Sequence, residues 1–187
     1  LRMKAKSIGV MAADYESDKV QNIDEIYKGI STLDGIDDDL ITKVYEAADG
    51  IPVEEIKTSA PPKPNQYYIL KGSRSSAIVH YNSFQKVYSR VLKHKAYGIE
   101  PRNAEQTFSL DSLLRDEIQL VTITGKAGTG KTLLALAAAI EQRQKFTQIF
   151  LARPIVPLSN RDIGFLPGDL KEKIGPYMQP LFDNLDV

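Results

Sequence analysis

A glycine-rich loop between an apolar strand and an apolar helix is the feature that most constrains the fold of this 187-residue chain. Residues 118–124 are apolar and mostly β-branched, which predicts a buried strand. Residues 125–130 supply a turn, and residues 131–144 predict a helix whose centre is apolar on every side, as in a helix packed beside a parallel sheet. Residues 148–152 predict a second strand. Strand, loop, helix and strand in this order are the unit of an α/β domain.

The loop has the residue types of a phosphate cradle. It matches the pattern G-x-x-x-x-G-K-[ST] at every defined position. Its residues are Gly125, Lys126, Ala127, Gly128, Thr129, Gly130, Lys131 and Thr132. The glycines permit a tight turn in which backbone N–H groups surround a phosphate, and the helix N-terminus adds a favourable dipole. We therefore predict that all eight residues bind ATP, with Lys131 as the catalytic residue on the β- and γ-phosphates and the Thr132 hydroxyl as a ligand of Mg²⁺. The alternative is an ordinary glycine turn before a helix.

Composition narrows the class of protein. The chain is 42% hydrophobic and 26% charged, which is typical of a soluble globular protein. It has no cysteine, which excludes disulfides and cysteine-based zinc sites, and no apolar run approaches the about 18 residues of a membrane span. We expect a cytoplasmic protein without a membrane partner. Because the chain does not begin with Met, we also expect it to be a piece of a longer protein.

Several elements are predicted before the loop. Residues 28–33 predict a strand, and Asp38 or Asp39 is the expected N-cap of a helix that ends near Gly50. The acidic run around this cap is interpreted as a solvated loop rather than a metal site. The proline-rich segment 59–65 is the clearest boundary. Beyond it, two apolar runs around Gly72 predict a β-hairpin, and the segment after the hairpin is compatible with a short helix or a further strand.

The net charge of zero hides an uneven distribution, because residues 1–58 are acidic and residues 59–107 are basic. Basic side chains alternate with aromatic rings in the middle of the chain. They are Lys63, Lys71, Arg74, Lys86, Arg90, Lys93 and Lys95, interleaved with Tyr67, Tyr68, Tyr81, Phe84, Tyr88 and Tyr97. Such a surface suits single-stranded RNA, because cations neutralise phosphates and rings stack on bases. The alternative is that the tyrosines fill a small core and the lysines are merely solvated. His80 and His94 have no evident carboxylate partner and receive no catalytic role.

Several motifs resemble the PhoH-like ATPase family. Residues 120–137 look like the opening of its ATPase domain, and residues 99–106, 152–154 and 164–170 look like family segments at the expected spacing. The likeness covers roughly residues 96–187. The N-terminal run Leu1-Arg2-Met3-Lys4-Ala5 and the tripeptide Ala13-Asp14-Tyr15 resemble the end of the PIN nuclease part in PIN–PhoH fusion proteins. The resemblance implies ATP-dependent RNA unwinding coupled to RNA cleavage, in homo-oligomeric, hexameric rings.

Further roles follow from the family's likeness to superfamily 1 helicases. Gln106 is expected at the adenine edge, with a solvated polar residue as the alternative. Arg153 is expected near the nucleic-acid backbone, with a structural salt bridge as the alternative. The segment 164–169 is interpreted either as a loop facing the ring pore or as a tight turn, and Asp169 with Glu172 resembles a capping box.

Hydrolysis also requires a second acidic residue near Mg²⁺, which normally follows a later strand. No such strand and acid follow residue 153 in the sequence, and the resemblance places this motif, like the last PIN metal-binding carboxylate, outside the chain. The predicted fold is therefore α/β, with a P-loop NTPase parallel sheet that is incomplete. The predicted domains are the end of a PIN-like domain (1–58), a small basic β-containing unit (59–95) and the N-terminal part of a PhoH-like ATPase domain (96–187). Two other functions stay open: a P-loop phosphotransferase acting on a small molecule, and a non-catalytic nucleotide-dependent binding module.

Overall fold

The computed structural model describes Ser7, Gly9 and residues 27–152 of the chain. The described residues form a mixed α/β structure, which confirms the broad fold class. Its elements are β1 (Ile30–Asp34), α1 (Asp38–Glu46), β2 (Ile51–Pro52), a 3-10 helix (Val53–Glu55), β3 (Tyr67–Lys71), β4 (Ser76–Asn82), β5 (Val87–Arg90), α2 (Ala104–Leu114) and α3 (Lys131–Glu141). No helix among them is long and apolar enough to span a membrane.

The strands form one five-stranded sheet in the order β1-β3-β4-β5-β2. β3 and β4 are the predicted hairpin and pair antiparallel, with Tyr67 opposite His80. The segment after the hairpin, for which the sequence was compatible with either a helix or a strand, contains a strand. This strand is β5, which pairs antiparallel with β4 and β2. β1 pairs parallel to β3, from which it is separated in the chain by α1 and β2. The sheet is therefore mixed.

The two faces of the sheet pack against different helices. Side chains alternate between faces along a strand, so Tyr67 and Tyr68 lie on opposite sides. Tyr68 belongs to a buried cluster with Ile41 and Val44 of α1, whereas Tyr67 packs with Phe108 of α2. These contacts position α2 beside the sheet, and α2 in turn packs against α3.

The tyrosines of the basic segment fill the core. Tyr67, Tyr68, Tyr81 and Tyr88 are all buried, and Tyr88 stands edge-on to Tyr68 with ring centroids 5.3 Å apart. Edge-on aromatic pairs of this kind are favourable. The interpretation that these four rings fill a small core is confirmed, in preference to the interpretation that they stack on RNA bases. Their burial leaves none of the four exposed for base stacking.

The N-terminus of α1 differs from the prediction by one or two residues. The N-cap is Asp37, whose side chain accepts a hydrogen bond from the Asp39 N–H at 3.1 Å. Asp38 turns instead to the hairpin loop, where it accepts hydrogen bonds from the N–H groups of Arg74 and Ser75. The predicted caps Asp38 and Asp39 are therefore wrong, because the hairpin loop offers Asp38 more donors than the helix terminus does. The residues next to Asp38 in the sequence do not predict its contact with the hairpin loop, because Arg74 and Ser75 lie more than 30 residues away.

The predicted boundary at residues 58 and 59 falls inside the sheet. β1 and β2 precede the proline-rich segment 59–65 and β3 follows it, and all three belong to the same hydrogen-bonded sheet. The segment is therefore a connection between strands of one sheet. The division into 1–58, 59–95 and 96–187 as domains stays a prediction.

The parallel sheet predicted around the glycine-rich loop is wrong for the described residues. Residues 118–124 and 148–152 form no strand, and Leu120 and Phe150 are exposed by 85% and 88%. A strand requires a hydrogen-bonded neighbour, and neither segment has one within residues 27–152. Apolar, β-branched composition favours a strand only where such a neighbour exists. Residues 118–124, which were predicted to form the first strand of this unit, run instead as an irregular segment into the loop.

Candidate functional site

The glycine-rich loop adopts the tight turn that its sequence predicts. Gly128 and Gly130 have φ angles of 76° and 83°, a region that residues with a Cβ rarely adopt. Gly130 is the N-cap of α3, and its carbonyl accepts the first helical hydrogen bond from the Leu134 N–H at 2.9 Å. The loop therefore leads directly into the helix N-terminus, where free N–H groups and the helix dipole favour an anion.

Lys131 folds back over the loop from the first turn of α3. Its Nζ donates to the carbonyls of Gly125 and Lys126 at 3.0 and 2.7 Å, and lies 3.4 Å from Thr129 Oγ1. Thr129 Oγ1 in turn donates to the Lys126 carbonyl at 2.9 Å. These contacts hold the Lys131 ammonium against the backbone of the loop. An ammonium at the mouth of such a loop is suited to a polyphosphate.

Thr132 lies on the first turn of α3 and is exposed. A hydroxyl next to the phosphate-binding lysine is an oxygen ligand of the kind that Mg²⁺ accepts together with phosphate oxygens and water. Its role as a metal ligand stays a prediction. Within residues 27–152 the structure shows no cluster of three or more His, Asp or Glu side chains that could hold a metal by themselves.

Helix α3 is anchored by the apolar residues that follow the loop. Leu134, Ala137 and Ala138 are buried and pack with Leu110 of α2 and with Ala96. The helix ends at Glu141 rather than at the predicted residue 144. Because its buried face is held against α2, the N-terminus of α3 and the loop have a fixed position relative to α2.

Gln106 lies beside the loop, as the family resemblance implies. Its Nε2 donates to the Thr129 carbonyl at 3.2 Å, and its Oε1 accepts from the Arg102 N–H at 2.8 Å. Asn103 is the N-cap of α2 and accepts from the Gln106 N–H at 2.8 Å. The Gln106 side chain therefore contacts the loop as well as solvent. Contact with adenine stays a prediction.

A buried polar network that was not predicted from the sequence connects α2 to the sheet. Asp111 accepts hydrogen bonds from Tyr67 Oη and from Arg115 Nε, both at 2.7 Å. His94 Nε2 lies 3.9 Å from Asp111 Oδ1, so His94 does have a carboxylate partner. Burial and then the Asp111 charge raise the pKa of Tyr67. Burial opposes the charge of Arg115, but the hydrogen bond and charge of Asp111 raise its pKa overall. The available signal was the spacing of four residues between Asp111 and Arg115 at the C-terminal end of α2.

His80 borders this network without joining it. Its ring packs on Tyr67 with centroids 4.9 Å apart, and neither ring nitrogen has a hydrogen-bond partner within the described part of the chain. Burial, and then the positive charge of Arg115, lower its pKa to about 4. A buried neutral imidazole in this environment packs as a core residue.

Many basic side chains of the middle segment have local partners. Lys71 pairs with Asp34 at 3.7 Å, and Arg90 lies over the Tyr45 ring at 4.2 Å. The other basic residues of this segment with a carboxylate or aromatic contact are Lys63, Arg74 and Lys95. Of the interleaved rings, Phe84 and Tyr97 are exposed, by 92% and 52%. Among the interleaved rings, these two are the ones whose faces solvent can reach.

Several predicted positions lie outside the described residues. They are Arg153, the segment 164–169, Asp169 with Glu172, and the PIN-like residues Leu1 to Ala5 and Ala13 to Tyr15. Their interpretations stay predictions.

Comparison with known proteins supplies the family. The family model described as "PhoH-like protein" matches residues 98–187, which contain both the loop and Gln106. Residues 98–187 belong to the PhoH-like family. It is 42% identical over 194 aligned positions to Protein PhoH2 of Bacillus subtilis strain 168, covering 100% of the chain and 43% of that protein. It is 34% identical to Protein PhoH2 of Mycolicibacterium smegmatis, covering 100% of the chain and 42% of that protein.

A third relative matches about half of the chain. The "PhoH-like protein" of Mycobacterium tuberculosis strain H37Rv is 42% identical over 97 residues, covering 51% of the chain and 27% of that protein. No solved structure matches. The chain thus spans about two fifths of the PhoH2 relatives. The PhoH-like family is of the P-loop NTPase type, which agrees with a nucleotide-binding loop at residues 125–132.

Proposed function

We propose that the chain binds ATP with Mg²⁺ through the loop Gly125–Thr132 and belongs to an ATP-dependent RNA helicase or ribonuclease. The observation that carries the proposal is the position of Lys131, whose ammonium lies over the loop at 2.7 Å from the Lys126 carbonyl. A polyphosphate offers that ammonium better acceptors than these neutral carbonyls, because hydrogen bonds between charged groups are stronger.

The roles of the loop residues follow from their chemistry. The N–H groups of the loop surround the β-phosphate, Lys131 neutralises the β- and γ-phosphates, and the Thr132 hydroxyl holds Mg²⁺. The metal ion neutralises charge on the phosphates when it is bound. The loop fits this role because Gly128 and Gly130 adopt positive φ angles, so that its backbone turns without a Cβ in the way. Catalysis at such a site consists mainly of positioning and charge stabilisation.

RNA is the proposed partner, most simply as a single strand. This part of the proposal rests on the resemblance to PhoH-like and PIN–PhoH proteins described above. The basic excess of residues 59–107 and the exposed rings of Phe84 and Tyr97 are compatible with it. A ring-shaped homo-oligomer, a neighbouring PIN nuclease and a cytoplasmic location are further parts of the proposal that rest on the resemblance alone.

ATP turnover with and without RNA tests the proposal in the intact protein. We expect single-stranded RNA to raise turnover, and Lys131→Ala to lower the apparent affinity or turnover by about 10- to 100-fold, the factor of a charge-assisted hydrogen bond. Lys57→Ala is the control, because it removes an exposed lysine that lies outside the loop and outside the basic segment 59–107.

The other outcomes identify the two alternatives. Transfer of phosphate to an acceptor other than water selects the phosphotransferase. Binding of ATP without any turnover selects the non-catalytic module. Turnover that is independent of RNA contradicts the helicase assignment while leaving ATP binding intact.

A further inference from the structure

The side chain of Gln106 is held from both ends of its amide. Gln106 is the third residue of α2, and its Oε1 accepts a hydrogen bond from the Arg102 N–H at 2.8 Å just before the helix begins. Its own N–H is held by the Asn103 cap. This arrangement resembles a capping box, in which the third residue reaches back to the chain before the helix. Because Oε1 is hydrogen-bonded to Arg102, the Nε2 group of the same amide faces away from Arg102.

The Nε2 group meets the loop at the peptide between Thr129 and Gly130. It donates to the Thr129 carbonyl at 3.2 Å, and it is the nearest atom, at 3.5 Å, to the place where a Cβ on Gly130 would lie. In a trans peptide the carbonyl and the following N–H point in opposite directions. Holding the Thr129 carbonyl toward α2 therefore turns the Gly130 N–H away from α2.

The loop needs such a restraint at this position. Gly130 has a φ of 83°, and glycine reaches positive and negative φ angles about equally easily. The Thr129–Gly130 peptide is therefore free to rotate unless something holds it. Within residues 27–152, the side chain that holds its carbonyl comes from α2, and α2 is fixed by its packing against α3 and the sheet.

We propose that Gln106 is a positioning residue for the phosphate loop, which fixes the Thr129–Gly130 peptide so that the Gly130 N–H is already oriented for a phosphate oxygen. This inference rests on the proposed function of the loop. It differs from adenine recognition, because it concerns the phosphates that every nucleoside triphosphate shares. Gln106 then contributes equally to the binding of ATP, GTP and a triphosphate without a base.

The test compares Gln106→Ala with Asn103→Ala, which removes the cap of the same helix and leaves the Gln106 side chain in place. Affinities for ATP, GTP and inorganic tripolyphosphate are measured with Mg²⁺ by calorimetry. We expect Gln106→Ala to weaken all three by the same factor, about fivefold, which is the worth of one neutral hydrogen bond. Asn103→Ala is expected to change them less. Gln106→Met, which keeps the length of the side chain, replaces Gln106→Ala if the alanine variant does not fold.

A second readout requires no nucleotide. The Gly130 amide resonance in the ¹H–¹⁵N spectrum of the free protein is expected to shift in Gln106→Ala more than in Asn103→Ala. A loss of affinity for ATP alone overturns the proposal in favour of adenine recognition, and unchanged affinities for all three ligands overturn it outright. If the wild-type protein binds none of the three ligands, the proposed function fails, and the Gly130 shift still decides whether Gln106 holds the loop.

Discussion

Replacing Asp111 with Ala tests how α2 is held against the sheet. The Asp111 side chain is 6% exposed and accepts hydrogen bonds at 2.7 Å from both Tyr67 Oη and Arg115 Nε. Removing one partner of a buried ion pair costs about 3–5 kcal/mol, since the other charge is left uncompensated. Arg115 is 23% exposed and keeps Glu117 at 3.3 Å, so part of this cost is recovered through water and the second carboxylate. We therefore expect Asp111→Ala to lower the free energy of unfolding by about 2–4 kcal/mol.

Urea unfolding followed by circular dichroism measures the change. Asp116→Ala is the matched control, because Asp116 also pairs with a cation at 2.7 Å but is 72% exposed, and its partner Lys145 is 52% exposed. An exposed pair contributes about 0–1 kcal/mol, so the control is expected to lose no more than that. Equal losses for Asp111→Ala and Asp116→Ala would refute the reasoning, because burial would then have no influence on the cost.

Three further predictions concern the sheet. Burial, and then the charge of Arg115, lower the pKa of His80 from 6.5 to about 4, so the unfolded chain binds more protons between these values. Acidification through this range is expected to reduce the free energy of unfolding by roughly 1 kcal/mol per pH unit, and His80→Phe is expected to remove this slope in urea titrations at several pH values. Hydrogen bonds, first from Ser73, lower the pKa of Asp38, so its stabilising effect is present above about pH 4 and is lost below it. Asp38→Asn should therefore flatten the acid side of the thermal stability profile, and an unchanged profile would contradict this. A Cβ at Gly72 would collide with the Asp38 carboxylate and an apolar side chain of α1, so Gly72→Ala is expected to cost about 1–3 kcal/mol in urea unfolding, whereas a neutral effect would show that the hairpin loop yields.

Local signals in the sequence predicted local structure. The hairpin of β3 and β4 and the turn of the glycine-rich loop depend on residues close together in the chain, where Gly72 and Gly130 indicate a change of direction. The long-range features were missed. The parallel pairing of β1 with β3, and the capture of Asp38 by the hairpin loop, join segments that are more than 30 residues apart. A pattern among neighbouring residues does not predict contacts between such distant segments.

In the candidate site as well, features formed by neighbouring residues were predicted and features formed by distant residues were not predicted from the residues themselves. Lys131 and its loop were predicted from eight consecutive residues, whereas the approach of Gln106 was implied only by the family resemblance. The network around Asp111 was not predicted, because its partners come from β3 and α2, and only the fold brings them together. The apolar segment 118–124 was wrongly predicted as a strand, because composition does not reveal whether a neighbouring strand is present.

Calorimetric titration with ATP in the presence of Mg²⁺ tests the central claim most directly, namely that the loop Gly125–Thr132 is a polyphosphate site. We expect the wild-type protein and the control variant Lys57→Ala to bind with similar affinity, and Lys131→Ala to bind at least about tenfold more weakly. Undetectable binding by the wild-type protein, or an affinity that is unchanged in Lys131→Ala, would contradict the account.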